Sequence, residues 1–200
     1  MKKAIQNLLF IIMTIVISAT GLIAQPTIGT TTFDGASVPG TGFGVLPQNL
    51  EVQGWDFLIT GNVGTSGSIT HNGGFSPANV SIFGQSGTTT INIGSNDGSE
   101  FNFDNYVVQF FNFAGVYTIT SYKDGVPVGS TTATAVSTYS VVNLSANTNF
   151  DNIDEIRLTG FGGSSVTFQV DEITISAAAT PNTVPTASSF TASNRSDSKT

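Results

Sequence analysis

The sequence predicts an all-β fold, a two-sheet antiparallel β-sandwich, on three observations. Beyond the first 24 residues no stretch carries the 3.6-residue apolar period of a helix. Short runs rich in Val, Ile, Phe, Tyr and Thr recur instead, punctuated by 22 glycines and many Ser and Asn residues. A closed barrel or a β-helix is the structural rival, and the absence of a fixed short repeat argues against the β-helix.

The chain opens with Met1-Lys2-Lys3, an apolar run from Leu8 to Ile17 and smaller residues leading to Ala24. That layout predicts a secretory signal peptide over 1–24 rather than a membrane anchor, because Ser18, Thr20 and Gly21 dilute the end of a short apolar core. Export directs the remainder to the outside of the cell, secreted or at the cell surface. There are no cysteines, so stability has to come from burial, sheet hydrogen bonding or a bound ion.

Strands are expected over 27–34, 56–60, 66–70, 79–83 and 88–93, then over 101–111, 116–122, 126–134, 139–144, 153–159 and 165–176. The strongest local signal is Lys123-Asp124-Gly125, an Asp-Gly pair between two β-rich runs that favours a tight hairpin turn. Side-chain parity along the last strand is also informative. Val166, Phe168 and Val170 are even-numbered, whereas Ile173 and Ile175 are odd-numbered, so the buried face changes phase at Asp171-Glu172. A β-bulge there reconciles the two halves. The run from Ile153 to Leu158 changes phase at Asp154-Glu155 in the same way.

The sandwich is thus assigned to 25–176. From 177 to 200, Ala, Thr, Pro and Ser dominate, the composition of a linker and a disordered tail.

Charge is sparse and negative. Six basic residues face 13 acidic ones; without Lys2 and Lys3 four basic residues remain, for a net charge of −9. Between 25 and 179 the only basic residues are Lys123 and Arg157. Such a surface disfavours nucleic acid and anionic membrane as partners. Simple solubility accounts for the acidity equally well.

Residues fit for chemistry are few. His71 stands in a turn-like Thr-His-Asn-Gly-Gly stretch with no nucleophile-elbow motif, and reads as a surface residue. The stretch 96–104 is acidic, with Phe101 and Phe103 expected in the core and Glu100, Asn102 and Asp104 on the opposite face. Trp55, the sole tryptophan, is a candidate platform for a sugar ring, with Asp56 beside it and Tyr122 as a further aromatic. A core position is the competing reading for a tryptophan in a small sandwich. No catalytic constellation is present, and the chain is expected not to be an enzyme.

Three features resemble the galactose-binding-like jelly rolls of carbohydrate-binding modules and exported bacterial surface proteins. They are Phe33-Asp34, the run from Thr118 to Gly125 (Thr-Ile-Thr-Ser-Tyr-Lys-Asp-Gly), and the closing Val-Asp-Glu-Ile-Thr-Ile from Val170 to Ile175. The resemblance spans roughly 27–176. It implies a glycan ligand, pairing of the first and last strands, and a structural calcium held by Asp34 and Asp171, with Glu172 as a substitute. Hard oxygen ligands suit that ion; plain surface acids or turn caps remain the other reading of the same residues. The segment 184–190 resembles the opening of repeats that follow such linkers in large bacterial surface proteins, which implies a monomeric domain at the front of a longer chain.

The expected function is therefore a non-catalytic extracellular binding or adhesion module for a polysaccharide or cell-surface glycan. A structural spacer or surface-layer domain is the first alternative, and a glycan-active hydrolase or lyase remnant the second.

Overall fold

The computed structural model describes residues 25–73, 77–85, 89–163 and 165–179. The expected leader at 1–24 and the tail at 180–200, with its repeat-like segment at 184–190, lie outside the described residues. In chain order the strands are β1 (Gly29–Thr31), β2 (Gly44–Val45), β3 (Gln48–Val52), β4 (Trp55–Thr60), β5 (Ser66–His71), β6 (Val80–Gly84) and β7 (Thr90–Ser95). After them come β8 (Phe101–Phe110), β9 (Val116–Lys123), β10 (Val126–Thr134), β11 (Ser140–Asn143), β12 (Glu155–Thr159) and β13 (Val166–Ala177). No helix among the described residues is long and apolar enough to cross a membrane.

The strands form two antiparallel sheets. One runs β11-β8-β13-β6-β5-β2, with β1 beside the second half of β13; the other runs β10-β9-β12-β7-β4-β3. Most connections cross from one sheet to the other, so each sheet is assembled from residues distant in sequence. Strand alternation fills the space between them: Phe57, Ile59, Ile91, Ile93, Ile156 and Leu158 from one sheet meet Ile82, Val108, Val166, Phe168, Val170 and Ile175 from the other. Edge-on and tilted ring contacts join Phe110, Phe113, Tyr117 and Phe161 at one end of the core. Trp55, Phe101 and Phe103 do the same at the other. Between them the Tyr106 and Tyr117 hydroxyls bond to each other at 2.8 Å. Each phenol thereby finds the partner that a buried hydroxyl requires, and burial pushes the Tyr117 hydroxyl up to about 12.

The two expected phase breaks have different causes. On β13, Val170 pairs with Val108 and Ile173 with Tyr106, so three steps on β13 match two on β8. That is the bulge expected at Asp171-Glu172. A second shift compensates it: Thr174 pairs with Asn105 but Ile175 with Phe103, which places an extra residue, Asp104, on β8. The break at Asp154-Glu155 is instead a change of sheet. Ile153 bridges Phe101 in the first sheet, whereas the Asp154 N–H donates to the Tyr122 carbonyl of the second.

Two hairpins have a two-residue turn with positive φ at both positions, Asp124-Gly125 (51° and 74°) and Gln53-Gly54 (50° and 86°), the conformation that tight hairpins demand. At Gly54 the missing side chain is also a packing requirement, because a Cβ would collide with the backbone of Gln25 and Pro26.

His71 is not at the surface. It is buried, and its ring ties the segment after β1 to β5. The Val38 N–H donates to Nδ1 at 3.0 Å, which leaves the proton on Nε2, 2.8 Å from the Phe33 carbonyl.

Candidate functional site

Trp55 begins β4, and strand alternation sets its direction. Trp55, Phe57 and Ile59 are all buried, while Asp56, Leu58 and Thr60 point outward. Trp55 is 0% exposed, packs edge-on against Phe101 and Phe103, and donates its indole N–H to the Thr31 hydroxyl at 3.1 Å. It therefore offers no face to a sugar ring, and the platform expected there is corrected to a core residue that pins β1.

Asp56 and Tyr122 do share a surface. The outer face of the second sheet carries cross-strand rows set by register. One row runs Glu51, Asp56, Gly94, Glu155, Tyr122 and Pro127. The next runs Asn49, Leu58, Asn92, Arg157, Thr120 and Ser130. Beyond it lie hydroxyls, with Thr60 opposite Thr90 and Thr118 between Thr159 and Thr132.

A groove of about 370 Å³ opens in the first two rows, lined by Asp56, Asn92, Ser95, Asp154, Glu155 and Arg157, with Leu58 and three glycines. Its volume falls within the roughly 300–1,000 Å³ of small-ligand clefts. Glycine creates the hollow. Gly94 stands between Asp56 and Glu155 in the first row, where a side chain would meet Asp154 and Glu155. Gly98 and Gly125 contribute from the adjoining turns.

Arg157 is held in place. Its Nε and Nη2 donate to the two Glu155 carboxylate oxygens at 2.7 and 3.0 Å, and its Cζ lies 3.7 Å from the centre of the Tyr122 ring. A guanidinium fixed by a carboxylate fork and an aromatic face loses little rotamer freedom when a ligand arrives. Asp154 Oδ2 accepts the Asp124 N–H at 2.7 Å, which locks the β9–β10 turn to this wall. Burial, followed by the nearby charges of Glu51 and Glu155, raises the Asp56 carboxyl above its ordinary range, against a lowering hydrogen bond from Asn49. Oδ1 of Asp56 and Oδ1 of Asn92 are buried with no hydrogen-bonding protein partner.

The acids proposed for calcium lie on the other sheet. β1 pairs with β13 as the resemblance implied, Thr31 opposite Ile173. Asp34 accepts the Thr32 hydroxyl at 2.6 Å. Asp171 is pushed up to about 6, first by burial and then by the charges of Glu172 and Asp34. Among the described residues, however, no three His, Asp or Glu side chains converge as a set able to hold a metal ion. Asp34 and Glu172 are close enough for their charges to repel that of Asp171.

This repulsion has a measurable consequence. The folded-state pKa of Asp171 lies above its unfolded value of about 3.9, so the folded chain binds this proton more tightly. Stability from this group is then highest below about pH 4, declines as pH climbs to about 6, and stays low above that. Solvent screens this partly exposed carboxyl, leaving an effect on the order of 1 kcal/mol. Asp171→Asn is expected to raise the melting temperature by a few degrees at about pH 8 and to leave it unchanged near pH 4. Thermal melts of both proteins at the two pH values check this; equal shifts at both would contradict it.

The sequence drew attention to neither Asn92 nor the pairing of Arg157 with Tyr122. Alternation alone marks each as outward-facing, but the β7–β12 and β12–β9 registers bring them together, and nothing local encodes those.

No family model matches the chain, and no curated protein matches it. Among solved structures it is similar to a variant of a family 29 carbohydrate-binding module, at 16% identity and a TM-score of 0.45, over 69% of this chain and 94% of that one. It is also similar to a family 11 carbohydrate-binding module from Clostridium thermocellum in complex with a β-1,3-1,4-mixed-linked tetrasaccharide. There the identity is 13% and the TM-score 0.43, over 76% of this chain and 98% of that one.

Proposed function

We propose that the protein is a non-catalytic glycan-binding module of an exported protein, and that its ligand lies in the groove across β4, β7 and β12. The observation that carries this reading is the groove itself. It is a preformed hollow whose polar groups come from three strands, with a rigidly held Arg157 and two buried acceptors that lack a protein partner. Polyhydroxylated ligands supply donors for such acceptors and an apolar ring face for Leu58. Secretion rests on the leader expected at 1–24, and a role in adhesion on that leader together with the linker expected from 177. A structural spacer needs no such hollow.

Binding to a panel of soluble polysaccharides by affinity electrophoresis tests the proposal. At least one neutral or basic glycan is expected to retard the protein, and Arg157→Ala and Asn92→Ala are each expected to weaken that binding by about tenfold or more, with circular dichroism unchanged. A folded protein that ignores every glycan, or binds one independently of both residues, would defeat the proposal.

A further inference from the structure

Which sugars suit the groove follows from its charge and donor inventory. Asp56, Asp154 and Glu155 line it, and Glu51 stands beside Asp56 in the same row. The lone guanidinium in the lining, Arg157, already spends two donors on Glu155 and lays its face on Tyr122. The other basic residue of the described chain, Lys123, is 2.8 Å from Glu100. Both cations are therefore engaged before a ligand arrives, and an acidic sugar would meet Asp56 and Glu51, neither of which has an ion-pair partner among the described residues. The buried lining atoms left without a protein partner are both acceptors. Oδ1 of Asp56 and Oδ1 of Asn92 have no protein partner, and an ionised carboxylate offers only lone pairs. A charged donor satisfies such a group more strongly than a hydroxyl does. It would also relieve the repulsion from Glu51 and Glu155, which, after burial, raises the Asp56 carboxyl above its ordinary range.

We propose that the groove selects sugars bearing a free ammonium group, with Asp56 as its counter-charge and Asn92 as a further acceptor. This rests on the groove being the glycan site. An amino sugar with its nitrogen unsubstituted, such as the glucosamine unit of a deacetylated polymer, has this chemistry. Its N-acetylated form has lost the charge, and a uronic acid carries the opposite one.

The experiment compares three probes on the full chain by calorimetry at about pH 6 and about 0.15 M salt, where sugar amines are largely protonated and long-range attraction is screened. The probes are oligomers of glucosamine, N-acetylglucosamine and galacturonate of equal length. The glucosamine oligomer is expected to bind about tenfold or more tightly than the N-acetylated one, and the galacturonate oligomer not at all. Asp56→Asn is expected to remove most of that preference, whereas Glu172→Gln, which removes an exposed carboxylate from β13 on the other sheet, leaves it intact.

If both variants weaken binding alike, attraction to the protein's overall negative charge explains it and the proposal falls. Equal affinity for the charged and N-acetylated oligomers, lost together in Arg157→Ala, would overturn the selectivity while leaving the glycan site standing. No binding of any oligomer or polysaccharide would remove the site as well. Tighter, Asp56-dependent binding of oligolysine than of oligoglucosamine would reassign the groove to basic peptides.

Discussion

Replacing Trp55 by alanine is expected to cost about 3–5 kcal/mol, the range for deleting a large aromatic from a packed core. Edge-on contacts to Phe101 and Phe103 are lost with the ring, and the indole bond that ties β4 to Thr31 goes too. For a domain of roughly 150 residues this lowers the melting temperature by about 10–15 °C. Trp55→Phe keeps most of the apolar area and is expected to cost less than half as much. The wild-type protein gives an independent check, since Trp55 is its only tryptophan. Its emission should be blue-shifted, resistant to acrylamide, and unchanged by any glycan that binds. A sugar-dependent change in that emission would mean that the ring reaches the ligand, contrary to its burial.

The second large effect is expected at His71. His71→Leu retains an apolar body but leaves the Val38 N–H and the Phe33 carbonyl without partners in a buried place. Each orphaned group costs about 1–3 kcal/mol, so the variant should lose about 2–4 kcal/mol. The loss should appear first as faster hydrogen exchange at the Val38 amide, ahead of global unfolding. His71→Gln, which can supply both a donor and an acceptor, is expected to recover part of it. Unaltered exchange at Val38 in His71→Leu would show that the ring is dispensable there.

Much of the fold was legible because alternation and turn chemistry are local. The Asp124-Gly125 hairpin lies where an Asp-Gly pair requires it, and the change of parity at Asp171-Glu172 marks a true bulge. The strand Gln48–Val52 escaped notice because it offers only Leu50 and Val52 as apolar signals and pairs on one side alone, with β4. The turn beside His71 suggests the surface, whereas the two partners that bury it lie more than thirty residues away. Within the site, the parity that hides Trp55 is the same parity that exposes Asp56, so a strict count along Trp55-Asp56-Phe57-Leu58-Ile59 would have separated them. The convergence of Asn92, Arg157 and Tyr122 is a matter of long-range register, which no window of sequence contains.

The pairing of β1 with β13 also decides how the module would respond to tension. Gly29 lies opposite Ile175 and Thr31 opposite Ile173, so the chain enters and leaves at the same end of this antiparallel pair. A pull between the two flanking segments would act across the ladder and peel its hydrogen bonds apart one after another, instead of shearing them together. Strung in a longer fibre, the domain would unzip from its first strand at low force. Its architecture suits a pendant that holds something at its side better than a link that transmits strain.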